Sequence, residues 1–84
     1  MLHVTDAKYL SEYRVKLVFN DGTRGIIDLK SKLTGPIFEQ LHDLTLFSQC
    51  YVHPETDTLT WPNGADFAPE YLKDQMLPET EIAS

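Results

Sequence analysis

The chain has a single cysteine, Cys50, so it contains neither an intrachain disulfide framework nor a zinc site built from several thiolates. Its stability must come from packing. Long apolar runs are missing as well: nothing approaches the roughly 20 residues that span a bilayer, and Met1 is not followed by the basic and then apolar segments of a signal peptide. The expectation is a cytoplasmic protein that does not enter membranes. Its four glycines fit neither a dinucleotide-binding GxGxxG nor a P-loop, and Ser11, Ser31 and Ser48 lack the GxSxG setting of a serine hydrolase. No HExxH run and no histidine pair at i and i+4 is present. No cofactor, metal ligand or catalytic residue is therefore assigned.

Bases are scarce: seven against thirteen acids, a net charge of -6, which repels phosphate backbones. Direct nucleic-acid binding is not expected. The charge is segregated. Residues 1–32 hold six bases and four acids, whereas residues 33–84 hold Lys73 alone against nine acids. Arg14, Lys16 and Arg24 would form a modest basic strip if the first part is one face of a sheet, and that strip is equally a solvated face opposite the core. The acidic second half suits a basic partner.

What is present is enough for one folded domain. With 84 residues, 42% of them hydrophobic and 24% charged, whole-chain disorder and a second core are both excluded. The strongest local signal lies in residues 13–29. Tyr13, Val15, Leu17 and Phe19 alternate with Arg14, Lys16 and Val18, the period of a half-buried strand. Asn20, Asp21 and Gly22 then turn the chain. A two-residue loop would set Phe19 against Arg24. A three-residue loop with Gly22 left-handed pairs Phe19 with Thr23, Leu17 with Gly25, Val15 with Ile27 and Tyr13 with Leu29, apolar against apolar, and is preferred.

Leu2, Val4 and residues 7–10 suggest an earlier strand, completing a three-stranded antiparallel meander. Pro36 suits a first helical position, so a short helix is expected over residues 36–42, with Ile37, Phe38 and Leu41 on one side and Leu44 extending the stripe. Leu46 and Phe47 would lead into a second hairpin, its strands near residues 51–52 and 58–61. Pro69 opens a last helix over residues 68–76, with Tyr71 and Leu72 docking. The fold class is α+β: a meander, a second short hairpin, and two short helices packed on the sheet. Residues 1–77 form the single domain and residues 78–84 a flexible tail.

Two clusters, YRVKLVFNDGTRGIIDL over residues 13–29 and LTWPNGADFAPEYL over residues 59–72, resemble the small bacterial family catalogued as domain of unknown function 2442. The resemblance covers nearly the whole chain, and its most specific part is the run over residues 61–67. It implies a compact α+β domain without an established activity. In longer relatives a similar domain precedes a DNA-binding helix-turn-helix, and small ones are encoded beside compact proteins suspected of belonging to toxin and antitoxin pairs.

The run over residues 61–67 admits two readings. In one, Trp61 enters the core, Pro62 and Gly64 set a turn, and Asp66 accepts backbone hydrogen bonds near the N-cap of the last helix. In the other, the same corner is an exposed anchor for a partner. The expected function is a small non-catalytic protein-interaction module, the partner or regulator of a toxin-like or other basic protein, with Tyr9, Tyr13, Trp61, Asn63 and Asp66 as contacts. A homodimer through an unpaired sheet edge is compatible with it. The alternative is a small-ligand-binding or metal-dependent enzyme domain using His53, Asp57 and Asp66. Cys50 with His53 makes a poor nucleophile and base, because a spacing of three along a strand sends the side chains to opposite faces.

Overall fold

The computed structural model describes residues 1–78. Alternation of side chains builds the sheet first: β1 (Val4–Ser11), β2 (Arg14–Phe19) and β3 (Arg24–Asp28) form an antiparallel meander. Val15 pairs with Ile27 and Leu17 with Gly25, the apolar register expected of the three-residue loop. The loop closes as that register requires, with Phe19 N–H on Thr23 O at 2.8 Å, Gly22 N–H on Phe19 O at 3.0 Å, and Gly22 at φ +88°. A residue with a Cβ is strained there, which is why glycine follows Asn20 and Asp21.

β1 carries two register shifts, between Val4 and Asp6 and between Tyr9 and Ser11. Such irregularities bend an edge strand and make it a poorer template for another chain. A fourth strand, β6 (Leu77–Pro78), pairs with β3 through Gly25 and Ile26. It lies at the boundary expected between the domain and its tail, residues 77 and 78. Proline serves there because an edge position does not require its missing N–H. Of the expected tail, residues 79–84 lie outside the described residues.

The helices are short. Gly35 precedes α1 (Pro36–Glu39), a 3-10 turn over Gln40–His42 extends it, and Asp43 caps α2 (Leu44–Phe47) by accepting Thr45 N–H at 3.0 Å. α2 replaces the strand lead-in expected at Leu46 and Phe47. Ile37 and Leu44, expected to dock, are each 40% exposed, whereas Leu41 is fully buried. β4 (Tyr51–Val52) and β5 (Leu59–Thr60) make the second hairpin, and Val4 N–H donates to Asp57 O at 2.9 Å, tying it to β1. α3 (Pro69–Gln75) packs Leu72 into the core. The core lies between the inner face of the meander and these pieces, with Trp61, Phe19, Phe47 and Leu17 its largest members. Among the described residues, no helix is long and apolar enough to cross a membrane.

One long-range ion pair joins the first hairpin to α3: Lys73 Nζ lies 2.6 Å from Asp21 Oδ2. The Lys73 hydrogen bond, followed by the Thr23 N–H, lowers the Asp21 pKa from 3.8 to about 2. A carboxylate with a depressed folded pKa contributes stability above its unfolded value and loses that contribution as pH falls through the folded one. The pair is exposed, so the effect is small. The difference in Tm between the native chain and Lys73→Met is expected at about pH 5 and should narrow as pH falls to about 2. Thermal melts across that window check it, and a difference that widens on acidification counts against the pair.

Candidate functional site: an aromatic corner with an acidic surround

The sequence of residues 61–65 dictates a tight reversal: proline at the second position, asparagine at the third, glycine after. Gly64 N–H donates to Trp61 O at 3.0 Å and Trp61 N–H to Ala65 O at 2.9 Å, with Gly64 at φ +92°. The first hairpin has the same bond pair at Phe19, Gly22 and Thr23. Both turns therefore solve one geometric problem with one chemistry.

Trp61 is fully buried, and its indole N–H donates to Phe47 O at 2.9 Å. It offers a partner no surface and acts as the post beneath the corner. Asn63 fixes the corner from outside. Its Oδ1 accepts Ala65 N–H at 3.0 Å, while Nδ2 donates to Ile37 O and Gln40 Oε1, both at 3.1 Å. An amide used on both ends locks the turn to α1.

Asp66 is exposed and pairs through its backbone with Thr60 in an isolated bridge. It does not cap α3. Pro69 at N1 makes Ala68 the N-cap, without a side-chain bond, so Asp66 stands two residues too early. Among the described residues its carboxylate has no hydrogen-bond partner, which leaves it free of structural duty.

Tyr9 and Tyr13 lie at another part of the molecule but converge with Trp61 on one ring. Phe47 meets Tyr9 edge-on at 6.0 Å, Tyr13 at 5.3 Å and Trp61 at 5.5 Å. Tyr13 Oη also donates to His42 O at 2.6 Å, fastening the first hairpin to the segment before α2. Both tyrosines are half-buried and chiefly join elements. Phe47 escaped the sequence reading because a one-turn helix shows no period; Asp43 followed by Thr45 was the local signal.

A second aromatic group was also missed. Phe38 stacks on Phe67 at 4.6 Å and 29°, and Phe67 stacks on Tyr71 at 5.5 Å and 11°. Phe67 precedes α3, and Pro69 interrupts the interval to Tyr71, so no helical spacing pointed to the pair. Exposed carboxylates adjoin each ring in sequence: Glu39 after Phe38, Asp66 before Phe67 and Glu70 before Tyr71.

His53, Asp57 and Asp66 do not assemble into one centre. His53 Nδ1 accepts Glu55 N–H at 3.0 Å and so organises its own turn, and Asp57 Oδ2 lies 3.4 Å from His3 Nδ1. Among the described residues no three His, Cys, Asp or Glu side chains are grouped to hold a metal ion. Burial pushes the Cys50 thiol up to about 11, so little thiolate exists near neutral pH.

The opposite side of the molecule is the outer face of the meander. The pleat places Arg14, Lys16 and Arg24 there, as expected of the basic strip, together with Ile26 and Asp28. A groove of about 520 Å³ opens there between Leu10, Arg14, Ile26, Asp28, Lys32 and Gln75.

The family described as "Protein of unknown function (DUF2442)" matches residues 4–76. No curated protein matches. A solved structure from Nitrosomonas europaea ATCC 19718, described as a "putative DNA binding protein", has the same fold, with a TM-score of 0.79 at 16% identity. The match covers 90% of this chain and 49% of that one, so this chain spans about half that protein's length. At this identity the likeness shows the fold. It also corrects the expectation of no direct nucleic-acid contact, since a protein described as a "putative DNA binding protein" shares this architecture.

Proposed function

Because the chain belongs to the DUF2442 family of proteins of unknown function, a membership that brings no activity with it, we propose a role from the geometry: a small non-catalytic module that recognises a basic protein, of which a toxin-like protein is one kind. The observation that carries this reading is Asp66, an exposed carboxylate on a corner held rigid by Trp61 and Asn63 and itself unused in holding it. The surrounding second half adds charge of the same sign, which speeds encounter with a basic surface more than it tightens the complex. A rigid corner also spares the entropy of ordering a loop on binding.

A second reading has its own support. The Nitrosomonas europaea protein is described as a "putative DNA binding protein", and this chain gathers Arg14, Lys16 and Arg24 on one sheet face. Weighing against it, about half of that protein lies outside the match.

The test is to cross-link and identify the natural complex, then reconstitute it from purified components. Asp66→Asn is expected to weaken binding of the basic protein about threefold to tenfold, while stability stays within about 0.5 kcal/mol because the carboxylate neither caps nor pairs. Duplex DNA binding that survives Asp66→Asn but disappears in Arg14→Glu would favour the second reading and count against the first.

A further inference from the structure

The row of rings Phe38, Phe67 and Tyr71 ends at the surface. Phe67 is engaged by both neighbours, whereas Tyr71 is 39% exposed and its hydroxyl has no hydrogen-bond partner among the described residues. Tyr71 therefore keeps open ring surface, held in a fixed orientation by the ring beneath. An aromatic surface held this way loses little entropy when another group is laid on it.

Two carboxylates of α3 stand close to this ring in sequence. Asp74 lies one helical turn beyond Tyr71 on α3, on the same side, and Glu70 directly precedes it. Asp74 Oδ2 accepts Gln75 Nε2 at 3.1 Å, which leaves its second oxygen for another donor. The nearest base in sequence, Lys73, is turned to Asp21 at 2.6 Å.

Resting on the basic-partner reading above, we infer that this open end of the row seats an arginine side chain of the partner, its guanidinium lying on Tyr71 and pairing with Asp74. Arginine fits better than lysine because its planar, weakly hydrated cation stacks on a ring and presents a fork of donors to a carboxylate. A phosphate backbone would meet the same carboxylates with repulsion.

The experiment compares labelled oligo-arginine and oligo-lysine peptides of equal length at low salt. The native chain is expected to bind oligo-arginine about two- to fivefold more tightly. Tyr71→Leu should bring that ratio close to one, Tyr71→Phe should preserve it, and Asp74→Asn should weaken oligo-arginine binding about threefold. Should Tyr71→Leu fail to fold, NMR of the native chain decides the matter, since oligo-arginine must then shift the Tyr71 ring resonances. Equal, salt-sensitive binding of both peptides would reject the arginine seat while sparing the basic-partner reading. Binding of neither at low salt would overturn both. Self-association abolished by Tyr71→Leu would put a second copy on this surface and overturn the seat for a partner's arginine.

Discussion

Trp61→Ala is expected to destabilise the domain by about 3–5 kcal/mol, much of the roughly 4–13 kcal/mol that a chain of this length commonly has. Three losses combine. The indole is fully buried, so its removal leaves a cavity that short helices and hairpins cannot close. Its contacts with Phe47 at 5.5 Å and Phe67 at 5.8 Å disappear, detaching the core from both aromatic groups. Phe47 O loses the donor that sits 2.9 Å away and keeps only the Cys50 N–H at 3.3 Å, a loss of about 0.5–1.5 kcal/mol. Trp61→Phe helps separate these terms, because it keeps a ring while removing the N–H and part of the volume, and it is expected to cost about 1–3 kcal/mol. Urea denaturation followed by far-UV circular dichroism measures both variants. A cost for Trp61→Ala below about 1 kcal/mol would mean that the corner is held by Asn63 and the turn alone.

The parts of this fold that could be read from the sequence are those in which local chemistry and side-chain period agree. Tyr13 to Phe19 alternates and Asn20-Asp21-Gly22 permits the bulged loop, so even the pairing of Val15 with Ile27 followed. The same holds for the turn at Pro62, Asn63 and Gly64 and for Pro69 at the start of α3. What stayed hidden is non-local or too brief to show a period. α2 is a single turn, and β6 is two residues long and pairs with a strand far back in the sequence. The candidate site divides in the same way. The corner was visible as an unusual run of residues, whereas the stack was not, because Phe38 lies 29 positions before Phe67 and Pro69 interrupts the interval from Phe67 to Tyr71. Asp66 was read as a cap because it stands near the start of α3, and the proline shifts the capping position past it to Ala68.

Phe47→Ala should be about as damaging as the tryptophan change, at about 3–5 kcal/mol, but for a reason that lies in connectivity. Phe47 has no exposed surface, and its ring is where Tyr9 from β1, Tyr13 beside β2 and Trp61 after β5 meet. Tyr9 and Tyr13 belong to the meander and Trp61 follows the second hairpin, so the ring joins the two. Removing it should loosen both. Phe47→Leu keeps much of the volume and loses the edge-to-face geometry, so a smaller cost of about 1–2 kcal/mol is expected. A double-mutant cycle with Tyr13→Leu isolates the ring contact at 5.3 Å, and a coupling of about 0.5–1.5 kcal/mol is the expected result. Amide exchange gives the spatial readout. In Phe47→Leu, the amides of β4 and β5 should lose protection before those of β2 and β3, because the small hairpin leans on this ring while the meander carries its own ladder. Uniform loss of protection across both sheets, with no coupling in the cycle, would show that the ring fills space without joining the two parts.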